Sequence, residues 1–252
     1  MIQLHRFARR HALYASALLG VAASALFAAR VAQTGSLVFL FLPFNLALGW
    51  IPLLFALAHV AADRLGSRAL SAGLVLPWLL FLPNSVYLVT DLVHLRSRPG
   101  VPHVFDSTLC ALFAGAGVLA GVSALSMVEE SFRARHGAPR TAVALVFTLF
   151  LNGLGVYIGR YLRWNSWDVL RDPAGILVDV WTRMIQPSPH LWTTTAVYAL
   201  LLGICWVAFV TVRGPALLVS KNPLAQSRHK RYAPKTIPEG HGSGHLLEGR
   251  SR

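Results

Sequence analysis

A chain of 252 residues that is 55% hydrophobic, only 13% charged and +0.54 in mean hydropathy has too little charge for an ordinary soluble domain. The formal net charge of +13 invites a nucleic-acid reading, but the basic residues lie between and beyond apolar runs, where charge sets membrane topology. No nucleic-acid partner is expected, and membrane lipid is the expected surrounding.

Six apolar runs approach the roughly 20 residues needed to cross a bilayer as a helix. They cover about 12–29, 36–61, 70–90, 107–128, 141–161 and 193–212. Hydrocarbon offers no water to backbone N–H and C=O groups, so each run must close its own hydrogen bonds. The expected fold is all-α, a polytopic transmembrane bundle of six spans over residues 1–213, followed by a basic tail over 214–252.

Arg6, Arg9 and Arg10 precede the first run, and Ala23-Ser24-Ala25 resembles a signal-peptide cleavage site. The run continues through Leu26, Phe27, Ala28 and Ala29, which favours an uncleaved first span. Span two carries Pro43 and Pro52, and span three Pro77 and Pro83. A proline removes a backbone donor and crowds the preceding turn, so both helices are expected to kink. Cys110 and Cys205 fall inside spans and read as apolar thiols. In span five, Gly155 and Gly159 form a small-x-x-x-small pair that permits close helix approach.

Asp172-Pro173 is a strong helix start, because Asp caps and Pro fits the first turn. Ile176, Leu177, Val180, Trp181, Met184 and Ile185 then repeat as one helical stripe, too short to span. An amphipathic helix at the outer interface is expected, with Trp181 at headgroup depth and Pro187 and Pro189 ending it. The tail after Arg213 is predicted disordered, with Arg228, Lys230, Arg231 and Lys235 either resting on anionic headgroups or solvated. Counting Lys and Arg on alternate sides of the six spans gives 16 against 7, which predicts both termini on the cytoplasmic side.

Two polar seams interrupt the spans. Asn84, Tyr87, Asp91 and His94 in span three share one face at helical spacing. Asn152, Gly155, Gly159 and Arg163 share a face of span five, with Arg160 at its edge and Trp164, Asn165, Trp167 and Asp168 beyond. Polar groups in hydrocarbon are costly, so such seams face other helices and mark function. Both spans run outward, so the seams are expected to meet at one level. Arg160 and Arg163 suit an anionic headgroup. Asp91 and His94 are candidate catalytic groups for proton transfer. Asn84, Tyr87, Asn152, Trp164, Asn165, Trp167 and Asp168 are candidate substrate contacts. A purely structural cluster competes with this: an Arg–Asp staple, an interfacial aromatic belt from Tyr161, Trp164 and Trp167, and caps at Asn165 or Ser166. His94, His103 and Asp106 flank a loop near Asp91, yet their spacing is no strong metal signature, and no metal or cofactor is expected.

These stretches resemble a bacterial integral-membrane family catalogued only as domain of unknown function 1361. The resemblance runs through Phe81-Leu82-Pro83-Asn84, Tyr87, Thr90-Asp91-Leu92 and His94-Leu95. It resumes with Gly155-Val156-Tyr157, Gly159-Arg160, the string from Leu162 to Asp168, and Asp172-Pro173, covering roughly 35–212. It implies a multi-pass protein of the bacterial inner membrane and supplies no catalytic assignment. The leading expectation is an outward-facing site that binds or modifies an anionic amphiphile or envelope precursor. A small-solute or proton-coupled transporter is the second, with Asp91 as the coupling-ion or proton site and only Asn45 and His59 to continue the polarity toward the cytoplasmic half. A scaffold subunit is the third.

Overall fold

The computed structural model describes residues 2–96, 101–186 and 188–213, without the side chains of residues 2–4 and 94. The expected disordered tail therefore lies outside the described residues. All regular elements among them are helices, and six are long and apolar enough to cross a membrane. A short α1 (Ile2–Arg10) leads into span one, α2 (Leu13–Thr34). Span two is α3 (Phe41–Arg64). Span three is broken into α4 (Arg68–Gly73), α5 (Val75–Tyr87) and a 3-10 segment, Leu88–His94. Span four is α6 (His103–His136), the longest helix. Span five is α7 (Ala138–Tyr157), which ends in a π-helical turn, Ile158–Leu162. Two shorter helices, α8 (Asp168–Arg171) and α9 (Pro173–Ile185), precede span six, α10 (Pro189–Arg213).

Span three, expected to kink, is interrupted near Pro77, while Pro83 lies inside a continuous α5. Pro77 cannot donate to the Gly73 carbonyl, and the helix breaks at Leu74. In α3 only Pro52 is interior. Pro43 sits in the first turn, where its missing N–H is harmless.

Helix α6 is the centre of the bundle. In its most apolar stretch 67% of the residues are buried, against 11–28% in the other five spans. It packs against α2, α3, α5, α7 and α10. Small residues make this possible: a Cβ on Gly117 would meet the Ser85 carbonyl at 2.6 Å. Cys110 is buried and Cys205 half-buried, as expected of thiols inside spans.

At the end of the bundle that carries α1, charged side chains converge. Glu130 takes Arg10 at 2.9 Å and Arg213 at 2.6 Å, joining α1, α6 and α10. Asp63 pairs with Arg135 and accepts a hydrogen bond from Ser131. His59 links the Ser71 carbonyl (2.8 Å) to Ser131 (3.0 Å). Between this end and the opposite one lies an apolar layer that includes Leu53, Ala56, Trp78, Leu82, Val86 and Ala124. Asn45 belongs to the far end, so it and His59 do not form one path.

His11, between α1 and α2, is 2% exposed and lies 3.4 Å from Arg213 Nη1. Burial lowers its pKa to about 4 from 6.5; Glu130 opposes the shift, while Arg213, Arg10 and Arg64 add to it. The folded chain then binds fewer protons than the unfolded one between those values. Stability that is full above pH 6.5 is lost as the pH falls toward 4. Thermal unfolding in detergent across that window should therefore fall more steeply for the native chain than for His11→Gln.

At the far end, a buried pair ties α2 to α6. Arg30 donates to Asp106 through Nε (2.6 Å) and Nη2 (3.2 Å), and its guanidinium lies 4.7 Å over the Phe39 ring. This pairing removes Asp106 from the loop set of candidate metal ligands.

Candidate functional site

The far ends of spans three and five lie side by side. A Cβ on Gly155 would stand 2.4 Å from the Pro83 ring, and one on Gly159 would stand 3.6 Å from Tyr87. Asn84 Nδ2 donates to Ser166 Oγ across the two segments at 2.9 Å. Gly49 brings α3 against the Asn84 backbone, which sets Asn45, one turn earlier, facing span three.

A cavity of about 180 Å³ opens where these segments meet. Its polar wall comes from Asn45, Asn84, Tyr87, Trp164, Asn165 and Ser166. Its apolar wall includes Leu48, Leu80, Pro83 and Ile176. Trp164 Nε1 donates to Asp179 at 2.7 Å, which fastens α9 over the cavity and brings Ile176 to it. The α9 start is as expected: Asp172 accepts from the Gly175 N–H at 2.8 Å, with Pro173 in the first turn. Its stripe is exposed, with Leu177 at 69% and Trp181 at 68%.

Of the residues expected at the site, Asn84, Tyr87, Trp164 and Asn165 line the cavity. Asp91 does not. After Leu88 the backbone tightens to about three residues per turn, which rotates Asp91 roughly 60° past its α-helical bearing. Its carboxylate is 2% exposed and accepts from Asn45 Nδ2 at 2.8 Å. The His94 side chain lies outside the described residues.

The π-turn alters span five in the same way. Arg163 ends it in a left-handed conformation (φ 62°), so its exposed side chain leaves the expected face. Arg160 is half-buried, and both it and Asp91 lie within electrostatic reach of the Tyr198 phenol on α10. Asn152 is fully buried against α10, where Nδ2 reaches the Tyr198 carbonyl at 3.5 Å and Oδ1 has no partner. Trp167 packs edge-on to Phe44, and Asp168 caps the Asn165 N–H at 2.7 Å. The sequence reading missed Ser166 as a wall residue and Asp179 as the anchor of α9. The lone carboxylate of a short helix, standing off its apolar stripe, was the available signal for Asp179.

The model of a family described as protein of unknown function (DUF1361) matches residues 44–209. The chain belongs to this family. The matched stretch holds α3 to α10 almost entirely, and with them every cavity-lining residue. Within the DUF1361 region the conspicuous motif from Arg160 to Asp168 is thus a helix stop, a cap and one wall of a cavity. No curated protein and no solved structure matches the chain.

Proposed function

We propose that this multi-pass membrane protein binds the head of an anionic amphiphile, a lipid or a lipid-borne envelope precursor, at the Trp164 end. By the charge count this end is the outer face of the inner membrane. The observation that carries the reading is the mixed lining of the cavity: amides, hydroxyls and an indole together with Leu48, Leu80 and Ile176. An amphiphile offers both kinds of surface. Arg163, exposed and next in sequence to the lining Trp164, supplies the contact for an anionic group. Binding is favoured over chemical modification, because no carboxylate, imidazole or thiol is among the cavity-lining residues described. Transport is less favoured, because the apolar layer separates the polar ends.

Native mass spectrometry of protein taken from its own membrane tests this. Ile176→Trp fills the cavity and should abolish a co-purifying amphiphile at unchanged protein abundance. Arg163→Gly suits the left-handed backbone, so the fold is kept while the guanidinium is lost. Its affinity for an anionic amphiphile should fall by about tenfold, the scale of one charge-assisted hydrogen bond. A bound amphiphile indifferent to both substitutions would sink the proposal.

A further inference from the structure

We infer that the group seated inside this cavity is an uncharged hydrogen-bond donor, a polyol or single sugar ring, with any anionic group left outside at the rim. The inference rests on the amphiphile reading above and narrows it.

A carboxamide offers two N–H donors and one carbonyl acceptor. All three lining carboxamides turn their nitrogen toward the protein. Asn45 Nδ2 donates to Asp91 at 2.8 Å. Asn84 Nδ2 donates to the Phe81 carbonyl at 3.1 Å and to Ser166 at 2.9 Å. Asn165 Nδ2 donates to Asp168 at 3.2 Å. Carboxylates and backbone carbonyls only accept, so none of these amides is reversible. Ser166 spends its own proton on the Leu80 carbonyl at 3.1 Å, and Trp164 spends its N–H on Asp179. Among the described residues no hydrogen bond reaches the amide oxygens of Asn45, Asn84 or Asn165, or the Tyr87 hydroxyl. The wall therefore offers three amide oxygens as acceptors, and as donors one N–H each of Asn45 and Asn165 and the Tyr87 hydroxyl, with no charged side chain among the lining residues.

Three ligand chemistries are then separated. A phosphate or carboxylate would face three amide oxygens with no lining Arg, Lys or His to balance its charge. An ammonium would be accepted, but no lining carboxylate balances its charge, and burying an unpaired charge is costly. Hydroxyls donate without needing a counter-charge. The C–H face of a ring can also lie on Trp164, Phe44 or Pro83. Size agrees: about 180 Å³ corresponds to roughly six waters, below the roughly 300–1,000 Å³ of pockets that enclose a whole ligand. One small head enters, and the chain stays in lipid.

The test is calorimetric titration of the full chain in phosphatidylcholine nanodiscs, corrected for empty discs, with n-octyl β-glucoside, n-octyl phosphate and n-octylammonium. The glucoside should bind saturably and at least about tenfold more tightly than the phosphate. Asn84→Leu should weaken it by about tenfold. Because Asn84 also holds Ser166, Tyr87→Phe supplies a second probe that deletes one hydroxyl. It should lose affinity a few-fold with thermal unfolding unchanged. Tighter binding of octyl phosphate or of octylammonium overturns the neutral-donor assignment and leaves amphiphile binding standing. Equal binding of all three, insensitive to both substitutions, also overturns that assignment. Saturable binding of none overturns the amphiphile reading itself.

Discussion

Replacing Asp106 with Ala should cost roughly 3–5 kcal/mol of stability, the scale for removing one partner of a buried ion pair. Asp106 and Arg30 are 3% and 2% exposed, and the two hydrogen bonds between them are the guanidinium's main compensation for leaving water. Without the carboxylate, Arg30 keeps only its contact with the Phe39 ring, and its Nη1 already has no hydrogen-bond partner. The double substitution Arg30→Met/Asp106→Leu should recover most of the loss, because apolar groups of similar volume often replace a buried pair at little cost. Thermal or SDS unfolding of the three variants measures both effects. A loss below about 1 kcal/mol in Asp106→Ala would show that the pair is wet, contrary to its burial. Neither residue lines the cavity, so ligand binding by the fraction still folded should be native.

The six spans were legible because run length and hydropathy are local properties. The helix starting at Pro173 was legible because Asp-Pro is a local cap. The adjacency of spans three and five was also expected, and the Gly155–Pro83 contact bears it out. What escaped were the departures from helical geometry. Nothing in Leu88-Val89-Thr90-Asp91 announces a 3-10 segment, yet that segment moves Asp91 from the cavity face to Asn45. Nothing in Ile158–Leu162 announces a π-turn, yet that turn ends span five with Arg163 in a left-handed conformation.

Pairings across long separations were equally hidden. Periodicity tells which residues share a face, and not which faces meet. Arg30 and Asp106 are 76 positions apart, and Asn84 and Ser166 are 82 apart. Charge counting treats every Arg as a topology marker. Yet Arg10, Arg135 and Arg213 are also members of ion pairs that join helices.

Gly153→Ala should destabilise the bundle by about 3 kcal/mol or more, toward the upper end of overpacking costs. The small-residue pair expected from sequence was Gly155 and Gly159, but the tightest approach is at Gly153. A Cβ there would stand 2.0 Å from the Thr195 carbonyl oxygen, 2.9 Å from its carbon and 3.1 Å from the Ala199 nitrogen. All three are backbone atoms of α10 and have no rotamer in which to retreat, so α7 and α10 must separate. The neighbouring Asn152 would then lose its contact with the Tyr198 carbonyl, leaving its whole amide unpaired in the interior. Gly159→Ala meets only ordinary van der Waals neighbours at 3.6–3.7 Å and should stay within about 1 kcal/mol of native, the range set by helix propensity. Unfolding of the two variants side by side separates packing from ligand contact. If Gly153→Ala unfolds like the native chain while Gly159→Ala collapses, α7 faces its neighbours in a different register, and the cavity assigned to Asn84, Tyr87 and Trp164 has no walls.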